Sequence, residues 1–335
     1  MKILVTGGTG FLGRRIVSEL APRHALRLLV RRGSSRERFP AGVEFAAGDV
    51  TDRASLDRAV AGCDAVLHAA ALVKILAPRE EFDRINVGGL ENVLAAAEEA
   101  GSVGRILYVS SFIALGPTEQ APGGVLDESA EPRERTWIND YERTKTLADR
   151  LARRAIAAGL PLAVVYPGVI YGPGELTEGN IVVRHILDLI HRRLPALIGL
   201  PTRRWNYVYV EDVARGVAQA LEKSPPAGRY VLGGENVTLG EFYSTVGRLT
   251  GAKIPTLRMP DALAKAAGAM QKAWARLRGS TPQLTPDLVE IYKHDWAYDS
   301  SRAERALGYR GRPFAEGLTA TVAWLKESAQ WPQPR

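Results

Sequence analysis

The stretch MKILVTGGTGFLGRRIVSEL, residues 1–20, decides the fold. Lys2, Ile3, Leu4, Val5 and Thr6 make a short apolar run of the kind that forms a buried parallel strand. The run stops at glycines, and from Phe11 the apolar residues return at helical spacing, at Phe11, Leu12, Ile16, Val17 and Leu20. A strand, a glycine turn and a helix in that order aim backbone N–H groups and the positive end of a helix dipole at a phosphate. The glycines admit two registers. Gly8, Gly10 and Gly13 fit the general dinucleotide fingerprint, while Gly7, Gly10 and Gly13 fit TGxxGxxG with Thr6 in front. In either register one glycine makes the tight turn, Gly10 lets the backbone approach a pyrophosphate, and Gly13 lets the helix pack close to the strand. The stretch predicts a dinucleotide site built from Gly7, Thr9, Gly10, Phe11, Leu12 and Gly13.

The segments that follow extend this site along a sheet edge. Ala25 to Val30 reads as a second strand and runs into Arg31, Arg32, Gly33 and Ser34. An acidic residue here would hold the adenosine ribose hydroxyls and repel a 2′-phosphate. A planar guanidinium instead pairs with phosphate oxygens, so Arg31, Arg32 and the Ser34 hydroxyl predict NADP in preference to NAD. Val43 to Val50 is a third strand ending in GDV, where Asp49 can accept from the adenine amino group with Val50 against the ring. Alternatively Asp49, or Asp52 after it, only caps a helix starting near Arg53. A fourth strand, Cys63 to Ala71, ends in Ala69, Ala70 and Ala71, which leave room for a cofactor. His68 within it reads as structural. A helix from Glu80 to Ala100 contains Asn86, and Arg105 to Ser111 is a fifth strand. This alternation predicts an α/β fold, a Rossmann-type doubly wound parallel sheet.

Ligands in such sheets lie outside the carboxyl ends of the strands, which is where Ser110 and Ser111 fall. About thirty residues on, Asn139-Asp140-Tyr141-Glu142-Arg143-Thr144-Lys145 opens a strongly helical segment, and residues four apart share a helix face. Of the eleven tyrosines only Tyr141 has a lysine four positions later. A free tyrosine titrates near pH 10 and is a poor acid–base catalyst at neutral pH, whereas a neighbouring ammonium and an oxidised nicotinamide favour the phenolate. Ser111, Tyr141 and Lys145 are therefore the candidate catalytic set, for a proton exchanged at a substrate oxygen while a cofactor moves hydride. No metal ligand set is expected.

TGGTGFLG, GDV, HAAA, VSS and YxxxK, followed by YPGVIYGPG (Tyr166 to Gly174), YVEDVA (Tyr209 to Ala214) and YVLGGENVTL (Tyr230 to Leu239), resemble the extended short-chain dehydrogenase/reductases. The similarity is greatest to the dihydroflavonol-reductase-like and 3β-hydroxysteroid-dehydrogenase-like branch. The resemblance implies that Ser111 orients the substrate oxygen, that Tyr141 is the acid–base residue, and that Lys145 binds the nicotinamide ribose while tuning Tyr141. It also implies that Pro167 to Ile170 lie beside the nicotinamide, with Pro167 and Ile170 in contact and the pro-S hydride transferred. Two departures stand out: Leu90 replaces the usual threonine of the NVxGT segment that begins at Asn86, and Tyr166 replaces the arginine common in epimerase relatives.

The resemblance further implies a dinucleotide-binding domain of residues 1–171 plus 205–233. A smaller, mostly α C-terminal substrate lobe takes 172–204 plus 234–330, and Asn180 to Leu194 is expected to be helical. Homodimers pairing the long helices Glu80–Ala100 and Tyr141–Gly159 are the family habit. The expected activity is NADP-dependent interconversion of a ketone or aldehyde and an alcohol on a small, apolar substrate. The rival is an NAD-dependent nucleotide-sugar epimerase or dehydratase, against which Arg31 argues. A non-catalytic nucleotide sensor is disfavoured by the intact Ser111, Tyr141 and Lys145 set.

Bulk properties agree. A net charge of +7 on 335 residues is spread over the chain and not gathered into a tract, so nucleic acid is not an expected partner. Cys63 is the single cysteine, which excludes an internal disulfide and suits a reducing compartment such as the cytoplasm. Met1 leads straight into a strand, so no signal peptide is expected, and no window is apolar enough for stable membrane insertion. Pro260 to Arg278 combines Leu263, Met270, Trp274 and Leu277 with Lys265, Lys272, Arg276 and Arg278. It reads either as an amphipathic lid meeting an apolar substrate or a membrane surface, or as a plain packing helix. The proline-rich tail from Trp331 onward is expected to fray.

Overall fold

The computed structural model describes residues 1–131, 136–177 and 179–331; the prolines of the tail lie outside them. In chain order it begins β1 (Lys2–Thr6), α1 (Phe11–Leu20), β2 (Ala25–Val30), β3 (Glu44–Ala47), α2 (Arg53–Val60), β4 (Ala65–His68) and α3 (Arg79–Phe82). A π-helical stretch, Asp83–Val87, leads without a break into α4 (Gly88–Ala100), then come β5 (Arg105–Val109), α5 (Asp140–Ala157), β6 (Leu162–Pro167), β7 (Val169–Tyr171) and α6 (Ile181–Ile190). The rest is β8 (Arg204–Tyr209), α7 (Val210–Lys223), β9 (Arg229–Leu232), β10 (Glu235–Thr238), α8 (Leu239–Thr250), α9 (Asp261–Arg278), α10 (Pro286–Tyr292), α11 (Ser301–Leu307) and α12 (Phe314–Glu327). The third and fourth strands are shorter than expected: they span Glu44–Ala47 and Ala65–His68, and the Gly48 and Ala69 N–H groups make one further bond each to the neighbouring strands.

Seven strands form one parallel sheet in the order β3-β2-β1-β4-β5-β6-β9. Side chains alternate across it, and both faces are covered, as an all-parallel sheet requires. Ile3 and Val5, Leu67, Leu107 and Val109 pack with Ile16 and Val17 of α1, Val213 of α7 and Ala303 of α11. Leu4, Val66, Ile106 and Tyr108 face Leu56 of α2, Val93 of α4 and Ala148 and Ala152 of α5. The sheet order reverses between β1 and β4, so the carboxyl ends of β1, β4 and β5 border one crevice.

A second sheet, β10-β8-β7, stands beside the first, with β8 parallel to β7 and antiparallel to β10. The strand at Arg204–Tyr209 thus pairs here and not in the main sheet. The chain returns to the main sheet twice more, as β9 against β6 and as α11 against α7 and β9. Asp212 clamps that return: its carboxylate accepts from the Arg312 backbone N–H at 2.9 Å and from the Arg312 guanidinium at 2.9 and 3.0 Å.

Candidate active site

The glycine turn selects one of the two registers. Gly7 adopts φ +75°, and a Cβ there would lie 2.5 Å from the Ala70 nitrogen. A Cβ on Gly13 would lie 2.0 Å from the Gly7 oxygen, a backbone collision that no rotamer relieves. At Gly8 the neighbours are only the flexible Leu28 and Val17 side chains, at 3.1 Å and beyond. Gly7 and Gly13 are therefore the structural glycines, and TGxxGxxG is the operative pattern. Gly10 is different in kind, since its only neighbour is the Gly7 oxygen at 3.4 Å and the space beyond it is open. Helix α1 starts there with no side-chain cap and no acidic residue in its first turn. Uncapped first-turn N–H groups at an open glycine are what a diphosphate needs, so the turn fits a dinucleotide.

The other cofactor-site candidates arrange around this turn. Ala69 and Ala70 at the end of β4 abut Gly7, and Ala71 continues that edge. Arg31 and Arg32 follow β2 with exposed side chains that make no ion pair among the described residues, while Ser34 closes a turn onto the Arg31 carbonyl at 3.1 Å. Asp49 does not cap α2. Its carboxylate accepts from the Thr51 N–H and hydroxyl, both at 2.9 Å, and Asp52 caps the helix through the Ser55 N–H. Asp52 wins because it directly precedes the helix, whereas Asp49 still sits in the turn after β3. Val50 is buried against Gly89. Pro167 ends β6 and is buried, and Ile170 of β7 is half-buried.

The catalytic candidates converge at the carboxyl end of β5. Ser111 is a buried N-cap just past the strand, and its oxygen accepts from the Ile113 N–H at 3.4 Å. Asn139 caps α5 through the Glu142 N–H at 2.8 Å, which fixes the helix start just ahead of Tyr141. The first half of α5 reads as a solvent-facing helix, yet Glu142, Arg143, Thr144, Lys145 and Asp149 are all buried. Charged residues are seldom buried without a partner, and here the partners come both from α5 itself and from the elements packed against it. Arg143 spans Asp83 at 2.7 Å and Asp140 at 2.8 Å, and Asp149 accepts from Tyr166 at 2.5 Å and Arg153 at 2.6 Å. Tyr166, at the position where epimerase relatives carry arginine, is thereby a core residue.

Burial pushes Tyr141 up to about 12, and the nearby Ser111 hydroxyl, which favours the phenolate, offsets only part of that rise. Lys145 does not reach the Tyr141 phenol. Its Nζ donates to the Val109 carbonyl at 3.3 Å and to the Tyr108 hydroxyl at 3.5 Å, and it lies 5.2 Å from the centre of the Tyr108 ring. Burial brings Lys145 down to about 7. In the free chain, therefore, Lys145 makes no hydrogen bond to the tyrosine, which is a protonated phenol at neutral pH.

Three participants were not prominent in the sequence. Tyr108 packs between Lys145 and His68, whose ring stacks on it at 5.7 Å. His68 shares a hydrogen bond with the Thr6 hydroxyl at 2.7 Å, and burial with the nearby Lys145 pulls it down to about 3, so it is a neutral structural histidine. Asn86 donates to Thr144 at 3.0 Å and to the Leu72 carbonyl at 3.2 Å, and accepts from the Leu72 N–H at 2.7 Å. It ties the loop after β4 to the turn of α5 that carries Lys145. The signal was available, because π-helical insertions often mark functional positions, but nothing local announces one. A cleft of about 860 Å³ opens at the start of α5, between Arg79, Trp137 and Asn139 on one side and Lys272 and Asp287 of the helical lobe on the other; none of Ser111, Tyr141 and Lys145 lines it. Among the described residues no group of three or more His, Cys, Asp or Glu side chains could hold a metal ion.

The chain is similar to known proteins over nearly its whole length. Residues 3–233 match the model of the NAD dependent epimerase/dehydratase family. Sterol demethylase protein B of Methylococcus capsulatus is 31% identical, covering 98% of this chain and 99% of that one. A 3 beta-hydroxysteroid dehydrogenase/Delta 5-->4-isomerase of Mycobacterium tuberculosis is 29% identical, covering 92% and 85%. The crystal structure of gox2253 superposes with a TM-score of 0.80 at 31% identity, covering 98% of this chain and 99% of that one.

Proposed function

The chain belongs to the NAD dependent epimerase/dehydratase family, and from that premise we propose that it uses NADP to interconvert a ketone or aldehyde and an alcohol on a small, largely apolar substrate. Membership makes it an NAD(P)-dependent oxidoreductase of the extended short-chain dehydrogenase/reductase kind. The choice of NADP, the catalytic set and the substrate class go beyond membership. The observation that supports the catalytic set is Ser111 just past β5, with Tyr141 and, one helical turn on, Lys145 brought beside it by α5, at the same sheet edge as the open glycine turn.

A bound nicotinamide supplies or accepts the hydride. The Ser111 hydroxyl holds the substrate oxygen, and Tyr141, a phenol at neutral pH because burial raises its pKa, gives that oxygen a proton in the reductive direction. Lys145, fixed by the Val109 carbonyl, is placed to bind the ribose. Arg31 and Arg32, exposed and without carboxylate partners among the described residues, are available to a 2′-phosphate. An apolar substrate is supported by the names of the two relatives, which refer to a sterol and a steroid. The single buried Cys63 supports work in the cytoplasm.

Fluorescence titration with NADPH and NADH tests the cofactor, and NADH binding at least as tightly overturns the preference. Turnover of a panel of ketones and aldehydes tests the rest. Tyr141→Phe is expected to cost about 10²- to 10⁴-fold in rate with NADPH binding unchanged, and undiminished activity refutes the assignment.

A further inference from the structure

Helix α9 is inside out. Its inward face is made of small residues, Ala264, Gly268 and Ala275, and Gly268 sits so close to α10 that a Cβ would lie 2.8 Å from the Thr285 carbonyl carbon. Lys265 and Lys272 hold the same side down through Glu290 at 2.6 Å and Asp287 at 3.0 Å. The large apolar residues point the other way: Leu263 is 60% exposed, Met270 69%, Trp274 57% and Leu277 83%. At about 100° per residue these four fall within roughly a sixth of the helix circumference. Between Asp261 and Arg276 every exposed residue of α9 is uncharged. These four side chains therefore lie outside the contact by which α9 packs on α10.

We propose that this face of α9 rests in the interface of a membrane bearing anionic lipid. Charge at the rim selects the occupant. Arg278 borders the stripe, about 40° round the helix from Trp274, with its guanidinium 4.2 Å from the centre of the Trp274 ring, while Arg276 is exposed in the same last turn about 100° beyond the stripe's other edge; neither has an ion-pair partner among the described residues. An indole and an arginine at the border of an apolar stripe suit the headgroup level of a bilayer, with the guanidinium on a lipid phosphate. A second copy docked by the same face in twofold symmetry is disfavoured, because each arginine-edged patch would bring its uncompensated cations against another of the same sign. No helix among the described residues is long and apolar enough to cross a membrane, so the contact is one of a helix lying flat. Lys272 lines the cleft while the apolar stripe faces outward from the same helix.

Cosedimentation of the full chain with vesicles of phosphatidylglycerol and phosphatidylcholine, against phosphatidylcholine alone, needs neither cofactor nor turnover and so stands apart from the catalytic reading. Binding to the acidic vesicles is expected, with Trp274 fluorescence quenched by brominated acyl chains and the quenching lost in Trp274→Phe. Arg276→Glu with Arg278→Glu should weaken binding by roughly 30-fold or more, and Met270→Glu with Leu277→Glu should abolish it while leaving the thermal midpoint unchanged. Three results overturn the proposal: no binding to acidic vesicles, binding that these substitutions leave intact, or a dimer in sedimentation velocity that Met270→Glu with Leu277→Glu dissociates.

Discussion

Burial of Lys145 carries a measurable pH signature. The side chain is 3% exposed, has only the Val109 carbonyl and the Tyr108 hydroxyl as polar partners, and loses its proton near pH 7 where an ordinary lysine holds it to 10.5. Between those values the unfolded chain binds a proton that the folded chain does not, so stability rises with pH. Below pH 7 both states are protonated and the folded protein carries the full cost of a buried ammonium. Each factor of ten in proton affinity is worth about 1.4 kcal/mol, so the cofactor-free protein gains up to about 5 kcal/mol from pH 7 to 10.5 at this one site. Relaxation around the amine reduces the gain, and about 2 kcal/mol is its lower expectation. The assay is urea unfolding at pH 6, 8 and 10 for the wild type and Lys145→Met. Subtracting the variant removes groups common to both, including Cys63, whose raised pKa acts in the opposite direction. The wild type should gain on Lys145→Met as pH rises, and a flat difference over this range refutes the burial argument.

Gly13→Ala should abolish NADPH binding and destabilise the protein by about 2–4 kcal/mol, since its Cβ would enter the Gly7 carbonyl; titration and thermal unfolding check it, and wild-type behaviour would contradict the geometry. His68 contributes acid lability. Its folded pKa of about 3 lies below the ordinary 6.5, so stability is lost as pH falls from 6.5 towards 3, and His68→Gln should flatten that limb in acid unfolding. Asn86→Leu leaves the Leu72 N–H and carbonyl and the Thr144 hydroxyl without this partner, and should cost about 2–4 kcal/mol by chemical denaturation.

The sequence by itself determined what is local. An apolar pentapeptide, glycines and a helical repeat are read within twenty residues, and they place β1, the turn and α1 where the structure has them. Four-residue spacing put Tyr141 and Lys145 on one face of α5 for the same reason, because a helix's geometry is internal to it. Tertiary structure decided everything that depends on which surfaces meet. It chose Gly7 over Gly8, because the difference lies in the approach of Ala69 and Ala70 from β4. It sent Lys145 to Tyr108 instead of to the tyrosine phenol, and it converted a helix of solvent-facing composition into a buried one by bringing Asp83, Tyr166 and the end of β5 against it. It also turned α9 over. Periodicity marks an apolar stripe, but α10 docked on the small side and left the large one outside, a choice made by backbone approach at Gly268 that no pattern within residues 261–278 records.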